Sequence, residues 1–90
     1  MQKNTAFFTE EDFAISTLSK VSCTLYGNDA VTIEGHKGLK KFSLDKIQFK
    51  ADKLNAICVV GNDLSIKELC QGYALVVGHV SGVLYENLQK

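Results

Sequence analysis

From residue 19 onward, apolar and polar residues alternate with a period of two in short stretches separated by glycine, asparagine and aspartate. The clearest stretch is residues 46–51, which read Lys-Ile-Gln-Phe-Lys-Ala. Because successive side chains of a strand point to opposite faces, this pattern predicts a strand with one buried and one wet face. The breaks are too short for crossover helices, so the pattern indicates hairpins rather than βαβ units.

The same reasoning predicts at least six strands in an all-β, mainly antiparallel domain, built as a small β-sandwich or a partly open barrel. We expect alternating strands around residues 21–25 and 31–33. Further strands are predicted at residues 39–43, 46–51, 54–60, 64–67, 73–77 and 80–85. The predicted core consists of apolar residues on these strands: Ile33, Phe49, Ile57, Val59, Leu64, Ile66, Leu75 and Val77.

Residues 1–18 differ in pattern from the single β domain predicted for residues 19–90. Thr9 precedes two glutamates and an aspartate, which is typical of a helix N-cap followed by an acidic first turn. Phe13, Ile15 and Leu18 would cover one side of such a helix. The segment is therefore predicted to be a short helix or an irregular arm.

A short repeat marks two expected hairpin turns. Gly27-Asn28-Asp29 precedes Val31 and Ile33, and the same three residue types recur at 61–63 before Leu64 and Ile66. Glycine, asparagine and aspartate tolerate positive φ, so both segments are typical of tight turns between strands. Either two pseudo-symmetric hairpins or a chance match would explain the repeat.

Composition and charge exclude several classes of function. Ten basic and ten acidic residues give a net charge of zero, so no electrostatic footprint for nucleic acid is expected. The longest apolar runs have five residues, against about 20 for a membrane helix, and no signal peptide is recognised. We therefore expect a cytoplasmic protein. Its three cysteines (Cys23, Cys58 and Cys70) lack paired spacing, which favours reduced, buried thiols.

No motif predicts catalysis, a cofactor or a metal. The candidate interaction loop contains Glu34, His36 and Lys37 between glycines, either as a binding loop or as a turn whose polar residues face water. His79 follows Gly78 in an apolar context, which favours a buried or edge histidine over a ligand. The cysteines and histidines come from different strands, so neither zinc ligation nor an activated nucleophile is expected.

Self-association through strands is a further expectation. The chain has no proline to protect sheet edges, and the apolar runs at residues 56–60 and 73–77 lack alternation, so both faces of these strands need cover. A closed dimer would consume an open edge. Alternatively, residues 1–18 could cover this surface and leave a monomer. The candidate edge-strand interface comprises Tyr73, Leu75, Val77, Val83 and Tyr85.

Three segments resemble the signature of the YabP/YqfC family of sporulation proteins from endospore-forming Firmicutes. They are residues 27–39, with Gly-Asn and then Val-x-Ile-Glu-x-His-Lys-Gly-Leu; residues 60–67, Val-Gly-Asn-Asp-Leu-Ser-Ile-Lys; and residues 76–85, Val-Val-Gly-His-Val-Ser-Gly-Val-Leu-Tyr. Together the resemblance covers about residues 21–86.

The resemblance implies a small cytoplasmic protein of the mother cell that serves spore envelope assembly without enzymatic activity. It also implies a protein partner, which could be another sporulation protein, including a membrane-bound one. The leading hypothesis is therefore a non-enzymatic interaction or assembly protein. The alternative is a module that binds a small ligand or a phospholipid headgroup through Glu34, His36 and Lys37.

Overall fold

The computed structural model describes residues 21–88, which form six antiparallel strands and no helix. The strands are β1 (Ser22–Tyr26), β2 (Ala30–Glu34), β3 (Leu39–Phe42), β4 (Lys46–Lys50), β5 (Asn55–Cys70) and β6 (Tyr73–Asn87). They make one sheet in the order β1-β2-β6-β5-β4-β3, which is not closed into a barrel. The all-β prediction is confirmed, whereas the predicted N-terminal helix or arm lies outside the described residues.

The two long strands take part in both halves of the sheet. The β1 layer consists of β1, β2, residues 73–77 of β6 and residues 65–70 of β5. The β3 layer consists of β3, β4, residues 55–60 of β5 and residues 79–87 of β6. Side chains from both layers form a single buried cluster, so the sheet folds over onto itself.

The fold-over occurs where β5 and β6 cross at two glycines. A Cβ on Gly61 would lie 1.9 Å from the carbonyl oxygen of His79, and one on Gly78 would lie 2.5 Å from that of Asp63. Gly78 also has a φ of 138°, which disfavours other residues. The two backbones can approach this closely because neither glycine carries a side chain.

The prediction of two hairpin turns was right for the first and wrong for the second. Residues 27–29 form the turn between β1 and β2, but residues 61–63 lie inside β5, where the pairing register with β6 shifts. Asp63 adopts a φ of 54° there, so residues that suit a turn form a bulge instead. For the same reason the strands predicted at 54–60 and 64–67 are one strand, as are those at 73–77 and 80–85.

The β1–β2 turn has its structural counterpart in the β3–β4 turn. The amides of Gly78 and Val80 donate to the carbonyls of Asp29 and Asn28 at 3.1 and 2.8 Å. The amides of Gly61 and Leu64 donate in the same way to the carbonyls of Asp45 and Leu44, at 3.1 and 2.8 Å. Each turn therefore anchors one long strand at its bend.

Most of the predicted core is confirmed, with one error of phase. Ile33, Phe49, Ile57, Val59 and Leu64 are buried, and Ile66 packs against them while partly buried. Leu75 and Val77 are only half-buried, because Ala74 and Val76 are the β6 residues that face the core. The run at 73–77 is apolar on both faces, so its composition does not show which face is inside.

Candidate functional site

Open strand edges are the first feature of the structure that could bind a partner. Among the described residues, β1 pairs only with β2 and β3 pairs only with β4. Because the long strands are shared between layers, residues 65–70 of β5 and residues 79–87 of β6 also have a neighbour on one side only. Such edges present backbone N–H and C=O groups that another strand can pair with.

The predicted edge-strand interface divides into an interior part and an edge part. Tyr73, Leu75 and Val77 lie between β2 and β5 and are therefore not at an edge, which corrects that prediction. Their side chains point to the outer face of the β1 layer and are half-buried. Val83 and Tyr85 do lie on an open edge, and Tyr85 is 53% exposed. Their role in an interface remains a prediction.

The two outermost strands differ in charge. All five residues of β1 are exposed and none is charged; Leu25 and Tyr26 are 51% and 55% exposed. All four residues of β3 are exposed too, but Lys40 and Lys41 occupy its centre and a bulge interrupts its pairing. Lysines and bulges are devices that protect an edge from pairing, so within residues 21–88 β3 carries such protection and β1 does not.

The loop between β2 and β3 places His36 inside the protein. The side chain is only 5% exposed, and its ring lies 4.9 Å from that of Phe49, centroid to centroid. The Gly38 amide donates to Nδ1 at 2.9 Å. Among the described residues, the buried Nε2 has no hydrogen-bond partner. Of the two interpretations of this loop, the turn whose polar residues face water was wrong for His36.

The other loop candidates do not converge with His36 on one polar cluster. Glu34 is exposed at the end of β2, and Lys37 is exposed beyond His36. The backbone of the loop is fixed, because the Lys37 amide donates to the Lys50 carbonyl at 2.7 Å. His79 is exposed on β6 beside Asn62, so of its two predicted placements only the edge position applies.

A groove of about 480 Å³ lies beside His36. One wall is the start of β3 with the loop before it, and the other is the end of β5 with the turn that follows. The lining residues are His36, Lys37, Gly38, Leu39, Leu69, Cys70, Gln71 and Gly72. The groove thus occupies the gap between two open strand edges, where a closed barrel would have a hydrogen-bonded pair.

A second groove of about 480 Å³ occupies the equivalent gap on the other side of the domain. Leu25, Gly27 and Asn28 from β1 and its turn form one wall, and residues 79–82 of β6 form the other. The open sheet therefore has two gaps, one beside each outermost strand.

A polar cluster on the outer face of the β3 layer was not predicted. Glu86 accepts hydrogen bonds from the Cys58 thiol at 3.2 Å, from Gln48 Nε2 at 2.9 Å and from Lys46 Nζ at 3.1 Å. The hydrogen bonds from Cys58 and Lys46 lower the pKa of Glu86. Gln48 and Cys58 are direct partners across β4 and β5, so only the strand register could have revealed the cluster.

The cluster holds Cys58 as a structural thiol. Burial raises its pKa above 9.0, which opposes formation of the nucleophilic thiolate. All three thiols are free, but only Cys58 is buried, so the prediction of buried thiols was wrong for Cys23 and Cys70.

Within residues 21–88 no three His, Cys, Asp or Glu side chains are placed to hold a metal ion. No helix of sufficient length and hydropathy to span a membrane occurs there either. Comparison with protein-family models, with curated proteins and with solved structures finds no match to this chain.

Proposed function

We propose that this chain is a non-enzymatic assembly protein that acts in endospore formation and associates with itself through strand β1. The role in spore formation is supported by the resemblance of residues 27–39, 60–67 and 76–85 to the YabP/YqfC signature. The mode of action is supported by the exposed strand edges. The proposed setting is the cytoplasm of the mother cell, with another sporulation protein as a further partner.

The observation that carries the proposal is the uncharged edge of β1, whose five residues are all exposed and which pairs only with β2 within residues 21–88. A second copy related by a two-fold axis can add its own β1 in antiparallel orientation and continue the ladder. When the axis passes beside Thr24, all five residues of each strand find a partner, with Cys23 opposite Leu25 of the second copy. The same arrangement is disfavoured for β3, because Lys40 and Lys41 of one copy would face the two lysines of the other copy.

Cysteine cross-linking tests this arrangement. Two Thr24 residues at the axis would have Cα atoms about 4.5–5.5 Å apart, within the range of a disulfide. In a background with Cys23→Ser and Cys70→Ser, we expect Thr24→Cys to form a covalent dimer under mild oxidation. The matched control is Lys41→Cys in the same background, at the other edge. Equal cross-linking of both variants, or none by Thr24→Cys, would contradict pairing through β1.

The role in spore formation is tested in the sporulating source cell. We expect deletion of the gene to lower the yield of heat-resistant spores, with vegetative growth unchanged. A Thr24→Lys allele should reproduce the defect, because a charge at the axis meets its own copy. Normal spore yield and normal spore envelopes in the deletion strain would refute the role.

A second candidate function is ligand binding beside His36, and one observation favours it. Nε2 is a buried polar atom without a partner in residues 21–88, and His36 lines a groove of about 480 Å³. This volume lies within the range of about 300–1,000 Å³ found for small-molecule sites. Glu34 does not line the groove, so such a site would combine His36 and Lys37 with the turn between β5 and β6.

A further inference from the structure

We propose that the groove between β3 and the end of β5 binds an extended acidic peptide of a partner protein, with one carboxylate accepting a hydrogen bond from His36 Nε2. The inference rests on the second candidate function and names its ligand class. It is independent of self-association through β1, which lies at the opposite edge of the sheet.

The hydrogen bonding of the two His36 ring nitrogens indicates which group a ligand must carry. Nδ1 accepts the Gly38 amide hydrogen, so in the neutral ring the proton is on Nε2 and that atom is a donor. Burial of a donor that has no acceptor within residues 21–88 is unfavourable, and an acceptor supplied by a ligand would remove this penalty. The site therefore favours a ligand that carries a hydrogen-bond acceptor.

Charge around the groove selects an anionic acceptor. Residues 36–42 contain three lysines, and residues 65–72 contain Lys67 and Glu68, so the two walls carry four cations and one anion, a net charge of +3. Lys37 is the single charged residue among those that line the groove itself. A carboxylate thus gains both a charge-assisted hydrogen bond and a favourable field.

The walls favour a peptide over a lipid headgroup or a free anion. In the part of the chain that the structure describes, Leu39–Phe42 and residues 65–70 have a neighbouring strand on one side only, so both walls offer backbone groups to an added strand. Leu39 and Leu69 line the groove and are 39% and 46% exposed, which suits apolar side chains next to the carboxylate. Only an extended chain that alternates apolar and acidic residues uses all of these features.

The occupant is a different protein rather than a second copy pairing through β3. Symmetric pairing of this edge would bring Lys40 and Lys41 against the same lysines of the other chain. An acidic peptide meets the opposite charge at the same positions, so charge complementarity decides between the two occupants.

Binding of defined peptides tests the proposal. The probe is an amidated octapeptide of alternating Val and Glu with fluorescein on its N-terminal amine, and the comparison peptides carry Gln or Lys in place of Glu. We expect the Glu peptide to bind about ten- to a hundredfold more tightly than the Gln peptide, the range of one hydrogen bond to a charged group. In ¹⁵N spectra its binding should shift the amides of Gly38, Cys70 and Gly72 and the Nε2–H signal of His36.

Two substitutions of His36 separate binding from folding. His36→Asn can keep an acceptor for the Gly38 amide and lacks Nε2, whereas His36→Leu fills the space with an apolar group. Both should reduce the preference for Glu over Gln to the part that the lysines supply, while the control His79→Leu, at an exposed histidine, leaves it unchanged. Lys37→Gln should weaken binding of the Glu peptide more than the control Lys53→Gln, whose site is exposed and outside the groove.

Several results would overturn the proposal. They are equal affinity for the Glu and Gln peptides, unchanged preference in folded His36→Leu, and absence of binding at millimolar peptide. Binding of phosphatidylglycerol vesicles but not of the Glu peptide would also overturn it; if His36→Leu abolished that vesicle binding, the second candidate function would stand without the peptide. Loss of both kinds of binding would leave self-association through β1 unaffected.

Discussion

The close approach of β5 and β6 at Gly78 allows the loss of stability in Gly78→Ala to be predicted. In Gly78→Ala the new Cβ would lie 2.5 Å from the Asp63 carbonyl oxygen and 2.9 Å from the Leu64 Cα, both backbone atoms that cannot rotate away. The residue would also have to adopt a φ of 138°. We assign about 1–3 kcal/mol to the backbone conformation and about 1–3 kcal/mol to the overpacking. The expected loss is therefore about 2–6 kcal/mol.

Such a loss is large for this chain. A domain of 90 residues typically has a free energy of unfolding of about 5–14 kcal/mol. With a urea m-value of about 1–2 kcal/mol/M for a protein of this size, the midpoint should fall by about 1 M or more. Urea titration followed by far-UV circular dichroism measures this shift.

Three other glycines separate the two contributions. Gly72 has a φ of 77° and open space around it, so Gly72→Ala measures the backbone cost alone. Gly61→Ala measures the contact alone, because its Cβ would meet the His79 carbonyl at 1.9 Å without a positive φ. Gly82 has neither constraint, and Gly82→Ala should be neutral or stabilising by up to about 1 kcal/mol. If Gly78→Ala and Gly61→Ala unfold at the same urea concentration as Gly82→Ala, the described crossing is wrong.

Three further predictions follow from burial and hydrogen bonding. Phe49→Ala should cost about 3–5 kcal/mol and Leu75→Ala clearly less, because Phe49 is fully buried and Leu75 is half-buried on the outer face; equal losses in urea titration would contradict this assignment. Since the folded-state pKa of Glu86 is lowered, its stabilising effect is present above its ordinary pKa of about 4.5 and is lost as the pH falls through the folded-state value. The stability difference between pH 7 and pH 3 should therefore be smaller in Glu86→Gln, and an unchanged difference would argue against the cluster. Titration with a thiol reagent should modify Cys23 and Cys70 rapidly and Cys58 only on unfolding; three fast thiols would show that Cys58 is not buried.

The strands could be predicted from the sequence where one face is apolar and the other polar. Residues 46–51 alternate cleanly, and Ile47 and Phe49 are indeed buried. The predicted wet face was wrong for Gln48, which is 6% exposed because it lies in the Glu86 cluster. The run at residues 73–77 is apolar on both faces, so the sequence contains no local signal for its phase, and Ala74 and Val76 rather than Leu75 and Val77 face the core. Pairing with β2, which is a long-range contact, decides which side chains of this run face the core.

The bend in the long strands β5 and β6 and the groove beside His36 could not be predicted either, and the reason is related. Glycine, asparagine and aspartate suit both turns and bulges, so residues 61–63 gave no means of distinguishing the two. The bulge depends on the hydrogen bond from Gly61 to Asp45, 16 positions earlier in the chain. The glycines around His36 suit a binding loop as well as a turn that faces water, and only the contacts with Phe49 and the Gly38 amide show that the ring lies inside. Local sequence shows which residues are polar, whereas tertiary contacts determine which of them are buried.

Sedimentation velocity at micromolar concentration tests self-association through β1 most directly. We predict that the chain sediments at about twice its mass of 9.9 kDa and that Thr24→Lys sediments as a monomer, because two lysines would face each other at the axis. The control Ser65→Lys, at an exposed position on the open edge of β5, should remain dimeric. A single species near 9.9 kDa for the unmodified chain, or a dimer that persists in Thr24→Lys, would contradict the account.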